Sequence, residues 1–299
     1  MQTLKSLQVL IIDVCNYACA MCNIWQNKRA NMLEVRDLSR LPHGLEFLSI
    51  NGGETTLHPR LPGIVSYVHD ILQPKMLLLC SNGSNPRRLA QAIELFEDVA
   101  VSLSFDGLQS HDKIRGKRGA LNTLMQSMNT LHDHPGRKIL SFTCLDTNKR
   151  EIREAFEFAT TFGWEFDFRL VDQNELYGKS PLEIDDHLLE DLRWLQENEP
   201  DGAKKLFYQG YFEKPVFDCQ AGKRFAYLLP DKQFYACLSR KEPIGNLETG
   251  ITKPTECSCG CWVDCYFYDN FHDKLGDVNC IDTKHKKGEL DAPFNPNFR

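Results

Sequence analysis

The sequence predicts an α/β protein: a partial barrel of six β-α units, followed by a small cysteine-rich region built on a β-hairpin. Three observations carry this expectation. Up to about Asn174, short apolar runs alternate with longer stretches of helical period, the pattern of repeated β-α units around a parallel sheet. Beyond Asp201 the texture changes to one dominated by Cys, Gly, Pro and aromatic residues. Of the twelve cysteines, three fall between positions 15 and 22 and seven from Cys219 to Cys280, with only Cys80 and Cys144 between.

The elements follow in order. Strands are expected at LQVLIIDV (7–14), LEFLSIN (45–51), KMLLLC (75–80), VAVSLSF (99–105), KILSFTCL (138–145) and FDFRLV (166–171). Their nearly continuous apolar character suits strands buried on both faces. Between them PRLPGIVSYVHDIL (59–72), NPRRLAQAIELFED (85–98), ALNTLMQSMNTLHDH (120–134) and NKREIREAFEFATTFG (148–163) read as helices, two of them opened by Asn-Pro or by Asn at an N-cap position. Ligands on such a sheet collect at the carboxyl ends of the strands. A loop and the amphipathic helix PLEIDDHLLEDLRWLQEN (181–198) come next, then a hairpin of RFAYLLP and QFYACL turned at Asp231-Lys232. The expected organisation is a barrel over 1–200, a cysteine-rich domain over 201–283 and a loosely attached tail over 284–299, with no internal repeat.

At 299 residues the chain can bury a sizeable core. Its net charge of -6, with acids and bases interspersed, provides no broad basic stripe, so nucleic acid is not the expected partner; a small molecule or a peptide is. The apolar run ended by Asp13 is too brief for a signal peptide, and no run approaches the roughly 20 residues that span a bilayer. A soluble, cytoplasmic protein with no membrane contact is expected. Twelve cysteines in such a protein point to metal ligation, because the cytosol keeps thiols reduced.

Cys15 follows directly on the first strand, so CNYACAMC lies in a loop at the carboxyl end of the sheet. A four-iron cubane ligated by three thiolates, Cys15, Cys19 and Cys22, keeps one iron open to an outside ligand. Ferredoxin spacing would bring a fourth cysteine nearby, and none occurs before Cys80. A zinc site or three buried thiols are the alternatives, and zinc asks for a fourth Cys or His close at hand.

The spacing CxxxCxxC in this position resembles the signature of the radical S-adenosylmethionine (radical SAM) superfamily. The resemblance implies a 4Fe-4S cluster whose open iron chelates the amino and carboxylate groups of S-adenosylmethionine. It also implies reductive cleavage to methionine and a 5'-deoxyadenosyl radical that takes a hydrogen atom from the substrate, with a flavodoxin- or ferredoxin-type electron donor. Gly52-Gly53-Glu54 after the second strand is similar to the family's GGE element, which holds the methionine ammonium. Ser81-Asn82-Gly83 after the third strand, and Ser102, Ser104, Asp106 and Gly107 at the fourth, resemble the strand ends near the ribose. His111 to Gly116, HDKIRG, is similar to the HDxxRG stretch of many relatives, in which the arginine, here Arg115, pairs with the methionine carboxylate. Arg169 is a candidate of the same sort, and Trp25 either covers the cluster or closes the core. The alternative for HDKIRG is a solvated surface loop.

From Cys219 to Cys280 the order of cysteines, hairpin and Gly245-Asn246 resembles the SPASM and twitch auxiliary domains of radical SAM enzymes. Two departures stand out: Lys232 occupies the usual hairpin glycine, and Cys257, Cys259 and Cys261 are crowded. The resemblance implies one or two auxiliary 4Fe-4S clusters. Either Cys219, Cys237 and Cys265 hold one and Cys257, Cys259, Cys261 and Cys280 a second, or Cys219, Cys237, Cys261 and Cys265 hold a single one. Structural zinc is the alternative. Cys80 and Cys144 read as core residues.

An auxiliary cluster beside a radical site can accept the electron left after a substrate loses hydrogen and a proton, which implies an oxidoreductase. Peptide-modifying relatives often carry a leader-binding domain ahead of the cysteine motif and sulfatase-maturing ones an aspartate after the hairpin cysteine; with 14 residues before Cys15 and Leu238 at that position, the resemblance implies dehydrogenation of a small polyhydroxylated or amino-sugar-like molecule. The alternatives are radical modification of a peptide or protein and, from another class, a non-enzymatic zinc-binding scaffold. Asp218, Arg240 and Glu242 are candidates by proximity only.

Overall fold

The computed structural model describes residues 4–171, 182–213, 220–238 and 242–253. Six parallel strands form in the expected order: β1 Ser6–Leu10, β2 Phe47–Asn51, β3 Met76–Ser81, β4 Ala100–Ser104, β5 Lys138–Cys144 and β6 Glu165–Leu170. On the other side of β1 lie β7 Phe225–Leu228, β8 Gln233–Tyr235, β9 Pro243–Asn246 and β10 Gly250–Ile251, in a single sheet ordered β10-β9-β8-β7-β1-β2-β3-β4-β5-β6. Strand β7 runs parallel to β1, and β8 to β10 follow antiparallel. Among the described residues the edges β6 and β10 are not hydrogen-bonded to each other, so these strands do not close a barrel.

Each strand alternates two kinds of residue, because successive side chains point to opposite faces. The helix-facing set, including Leu7, Val9, Leu48, Ile50, Leu79, Val101, Leu103, Leu140, Phe142, Phe166 and Phe168, is buried in one core. Each such side chain contributes about 1.5–3 kcal/mol on burial. The other face is divided by height. Phe47, Leu78, Ala100 and Ile139 form a separate apolar floor, and above it Ser102, Ser104, Ser141, Thr143 and Arg169 line a cavity. The strands are therefore covered on both faces as expected, but the inner face is polar where it approaches the carboxyl ends.

The outer layer comprises α1 Val35–Leu38, α2 Leu61–Tyr67, α3 Pro86–Ile93, α4 His111–Ile114, α5 Ala120–Thr130 and α6 Ile152–Thr161. Helix α3 starts as expected, with Pro86 in its first turn and the Asn85 side chain accepting from Arg88 N. Helix α6 does not: it begins at Ile152, and Asn148 instead clamps the preceding loop, accepting from Leu145 N and donating to the Asp106 and Thr143 carbonyls. Helix α7 Asp186–Asn198 falls within the expected segment and is capped by Asp185. Helix α8 Gly202–Glu213 was not expected. Buried Lys204 fastens it to β6, reaching Glu165 at 3.4 Å and the Phe166 carbonyl at 3.0 Å.

The β7–β8 turn has Lys232 at φ +67°, the left-handed conformation for which glycine is usual. Its Nζ meets Asp37 Oδ1 at 2.9 Å, an ion pair that helps offset the roughly 1–2 kcal/mol of backbone cost. Among the described residues no helix is long and apolar enough to cross a membrane.

Candidate functional site

The loop carrying Cys15, Cys19 and Cys22 leaves the end of β1 and is fastened from several sides. Asp13 accepts two hydrogen bonds from Asn31, at 2.7 Å each, and its carbonyl accepts one from Asn27. Gly53 N donates to Ile12 O and Glu54 N to Val14 O, at 2.8 and 2.9 Å. The two glycines are required by this contact. A Cβ on Gly52 would lie 2.8 Å from the Ile12 side chain, and one on Gly53 would fall on the Val14 carbonyl. On the opposite side Ala20 N donates to Ile114 O at 2.8 Å, and Gly116, at φ +60°, lies so close to the Ala18 carbonyl that no Cβ fits.

All three thiols are free and line one cavity of about 280 Å³. Burial, reinforced by neighbouring thiols and Glu54, pushes Cys15 up to about 11, and burial raises Cys22 as well. Thiols brought together out of water resist ionising unless a cation joins them, and a cationic cluster is such a partner. Among the described residues no three His, Cys, Asp or Glu side chains gather closely enough to hold one metal ion. A cubane makes a different demand, since each thiolate takes a separate iron. Three free thiols around a cavity fit that demand.

Glu54 is buried at the rim of this loop and ties β2 to β3. Its Oε1 accepts from Thr56 N, Thr56 Oγ1 and Ser81 Oγ, while Oε2 accepts from Asn82 N at 2.7 Å. A lone pair on Oε2 is left for an incoming donor. Asn82 Nδ2 reaches Cys15 Sγ at 3.7 Å and Asn16 Oδ1 at 3.0 Å. The strand-end residues Gly52, Gly53, Glu54, Ser81 and Asn82 thus form one network with the cysteine loop, and Ser104 lines the same cavity.

HDKIRG is not a solvated loop. His111 and Arg115 are buried, at 0% and 7% exposure. Arg115 Nε pairs with Asp106 Oδ2 at 2.5 Å, and Nη1 lies 3.7 Å from Cys19 Sγ. Burial opposes the guanidinium charge, but Asp106 and Cys19 more than offset it, so Arg115 is a firm cation. His111 Nδ1 accepts from Asp106 N at 3.1 Å, and burial with the Arg115 charge lowers its pKa to about 3, keeping the ring neutral. Asp106, expected near the ribose, stands behind Arg115 and does not line the cavity.

The far wall is made by β5, β6 and β7. Ser141, Thr143, Arg169, Tyr227, Cys237 and Leu238 face the cavity, with Arg169 Nε and Nη2 both on Asp167 Oδ2 at 2.9 and 2.8 Å. Trp25, 36% exposed, stands at the cavity rim. Cys144 is fully buried as expected, and Cys80 packs against the apolar floor of Phe47, Leu78, Ala100 and Ile139 while also lining the cavity. Burial raises the Cys80 thiol to about 12. Cys237 is buried and opens on the cavity that the first three cysteines share. Cys219, Cys257, Cys259, Cys261, Cys265 and Cys280, with Asp218 and Arg240, lie outside the described residues, and Glu242 is exposed.

The family model described as Radical SAM superfamily matches residues 9–159, about half the chain and the part that carries the cysteine loop through α6. Among curated proteins, the chain is 24% identical over 275 residues to a GTP 3',8-cyclase of Helicobacter pylori, covering 84% of this chain and 85% of that protein. It is 24% identical over 171 residues to the antilisterial bacteriocin subtilosin biosynthesis protein AlbA of Bacillus subtilis, covering 53% of this chain and 37% of that one. In fold it is similar to Streptococcus suis SuiB bound to S-adenosylmethionine, with TM-score 0.66, 15% identity and coverage of 92% of this chain and 68% of SuiB. It is also similar to anSMEcpe with bound AdoMet and the Cp18Cys peptide, with TM-score 0.59, 14% identity and coverage of 82% and 78%.

Proposed function

The chain belongs to the radical SAM superfamily, a family of enzymes that use a 4Fe-4S cluster and S-adenosylmethionine, and from that premise we propose that it modifies a peptide by radical oxidation. When bound, the cluster supplies the electron that splits S-adenosylmethionine into methionine and the 5'-deoxyadenosyl radical that takes hydrogen from the substrate. Cys15, Cys19 and Cys22 would hold three irons. Glu54 Oε2 would receive the methionine ammonium beside the Gly52-Gly53 backbone, while Ser81, Asn82 and Ser104 would orient the nucleoside. Trp25 would screen the site at its rim.

The observation that separates the peptide reading from a nucleotide substrate is the balance of charge in the cavity. Among the described lining residues the cations are Arg115 and Arg169, and each is already paired, with Asp106 and Asp167. A nucleoside triphosphate asks for several cations in excess, so the cavity suits a substrate of low net charge better than the GTP of the cyclase relative. AlbA, named for subtilosin biosynthesis, and SuiB, also solved with precursor peptide SuiA, support the same direction. Cys237, facing the cavity, would be one ligand of an auxiliary cluster, completed from Cys219, Cys257, Cys259, Cys261, Cys265 and Cys280 as one or two clusters. Such a cluster would accept the electron remaining after the substrate loses a hydrogen atom and a proton.

A second reading has its own observation. Ser102, Ser104, Ser141, Thr143, Gln8 and Asn51 give the cavity a hydroxyl and amide lining that also suits a small polyhydroxylated molecule. Reduced protein supplied with S-adenosylmethionine should be offered peptides encoded beside its gene, an aminocyclitol panel and GTP. The peptide reading expects a peptide product lacking two hydrogens, formed in step with 5'-deoxyadenosine. Turnover of the aminocyclitols or GTP alone would overturn it.

A further inference from the structure

We propose that the Arg115–Asp106 ion pair sets the reduction potential of the cluster at Cys15, Cys19 and Cys22, with Arg115 raising it through Cys19 and Asp106 limiting the rise. The inference rests on the reading of those three cysteines as cluster ligands. It gives Arg115 a role distinct from pairing with the methionine carboxylate.

The geometry holds this pair against the cysteine loop. Helix α4 ends at Ile114, whose carbonyl takes the Ala20 N–H at 2.8 Å, and Gly116 sits directly on Ala18. Arg115 between them has little freedom. Its Nη1 is directed at Cys19 Sγ, 3.7 Å away, while Nε is committed to Asp106. Asp106 is itself immobilised: its N–H donates to His111 Nδ1, its carbonyl accepts from Asn148 Nδ2, and Oδ1 accepts from Thr143 N at 3.4 Å. Both members are nearly free of solvent. In such surroundings charges act over several ångströms with little screening. Hydrogen bonds to cluster sulfurs and nearby charge are established levers on the potential of iron-sulfur centres. A cation beside Cys19 favours the reduced, more negative cluster, and a carboxylate behind it subtracts from that effect.

The prediction has a sign that a packing role would not produce. Asp106→Asn removes the compensating charge and should raise the midpoint potential. The double variant Asp106→Asn with Arg115→Gln removes both charges without stranding either in the interior, and should lower the midpoint below wild type because the nearer charge is lost. Each shift should amount to at least a tenfold change in the reduced-to-oxidised ratio at fixed poise, about 59 mV for a one-electron couple. Arg115→Lys keeps the charge and should stay near wild type. The readout is a redox titration followed by electron paramagnetic resonance, using the signal that S-adenosylmethionine perturbs to separate this centre from any auxiliary one. Equal midpoints in all four proteins, or shifts of one sign in both charge variants, would overturn the proposal. Absence of an S-adenosylmethionine-responsive signal from wild type would instead overturn the ligand reading beneath it.

Discussion

The two walls of the cavity are built differently. On the side of β1 to β4, backbone and buried side chains bond to one another: Gly53 and Glu54 to the loop after β1, Glu54 to Ser81 and Asn82, Asn82 to Cys15, Ile114 to Ala20. On the side of β5 to β7, the cavity meets side chains on regular strands, Ser141, Thr143, Arg169 and Tyr227, and among the described residues Ser141 and Arg169 both donate to Asp167 on the adjacent or same strand. The first wall is preorganised by backbone contacts between elements; the second presents side chains whose described bonds run to the carboxylate of Asp167. That is the division expected between holding a constant cofactor and selecting a substrate.

Substitutions should expose the difference. The largest effect is expected for Gly53→Ala, whose Cβ falls on the Val14 carbonyl. Overpacking of this kind costs about 1–3 kcal/mol, and here it should displace the cysteine loop. Iron incorporation should drop severalfold together with the melting temperature. Gly63→Ala in α2, where a Cβ meets nothing within 4 Å, should keep both, and is a control for alanine as such. Equal iron content in the two variants would mean that the loop does not depend on the Gly52-Gly53 contact.

Next in size is Glu54→Gln, whose amide keeps one acceptor oxygen but turns an NH2 group toward the other backbone donor, Asn82 N or Thr56 N. Affinity for S-adenosylmethionine, read by calorimetry on reconstituted protein, should fall roughly tenfold to a hundredfold, the equivalent of about 1.5–3 kcal/mol. Undiminished binding would remove Glu54 from the cofactor wall. A smaller and more selective effect is expected on the other wall. Arg169→Gln should lower turnover of the true substrate more than it lowers uncoupled cleavage of S-adenosylmethionine, and the reverse ranking would assign Arg169 to the cofactor.

What the sequence disclosed divides along the same line. Five of the six barrel strands were legible to within two residues because their outer faces are apolar, whereas the first, expected to reach Val14, ends at Leu10, where the chain turns into the cysteine loop; the cysteine spacing is local. The place of Arg115 at the site was legible from HDKIRG, but its pairing with Asp106, at 0% exposure, was not, because nothing in the spacing marks the two as partners. Helix α8 was also hidden. Its segment GAKKLFYQGYFE contains two glycines, and its anchor is tertiary, from Lys204 to Glu165 and the Phe166 carbonyl. Strands β9 and β10, of four and two residues, are too short to carry a periodic signal. Of the polar inner face, Ser102 and Ser104 were legible through the resemblance, whereas Ser141 and Thr143 were not, because in SFTCL the hydroxyl residues sit between large apolar ones.

The smallest effect is one of pH. His111 is held neutral, its pKa lowered by burial to about 3 from the usual 6.5. Between those values the unfolded chain binds the extra proton, so His111 contributes stability above about pH 6.5 that is lost as the pH falls toward 3. Denaturant midpoints measured from pH 7 to pH 5 should decline less steeply in His111→Asn than in wild type. Parallel slopes would show that the ring is not buried as a neutral group.

The central claim is that three thiols on the first wall hold the cluster that opens S-adenosylmethionine. It is tested most directly by changing Cys15, Cys19 and Cys22 together to alanine and measuring iron, sulfide and 5'-deoxyadenosine on anaerobically reconstituted protein. The account predicts a loss of about four irons per chain, with any auxiliary iron retained, and no cleavage of S-adenosylmethionine under strong reductant. Cleavage at the wild-type rate in the triple variant would contradict it.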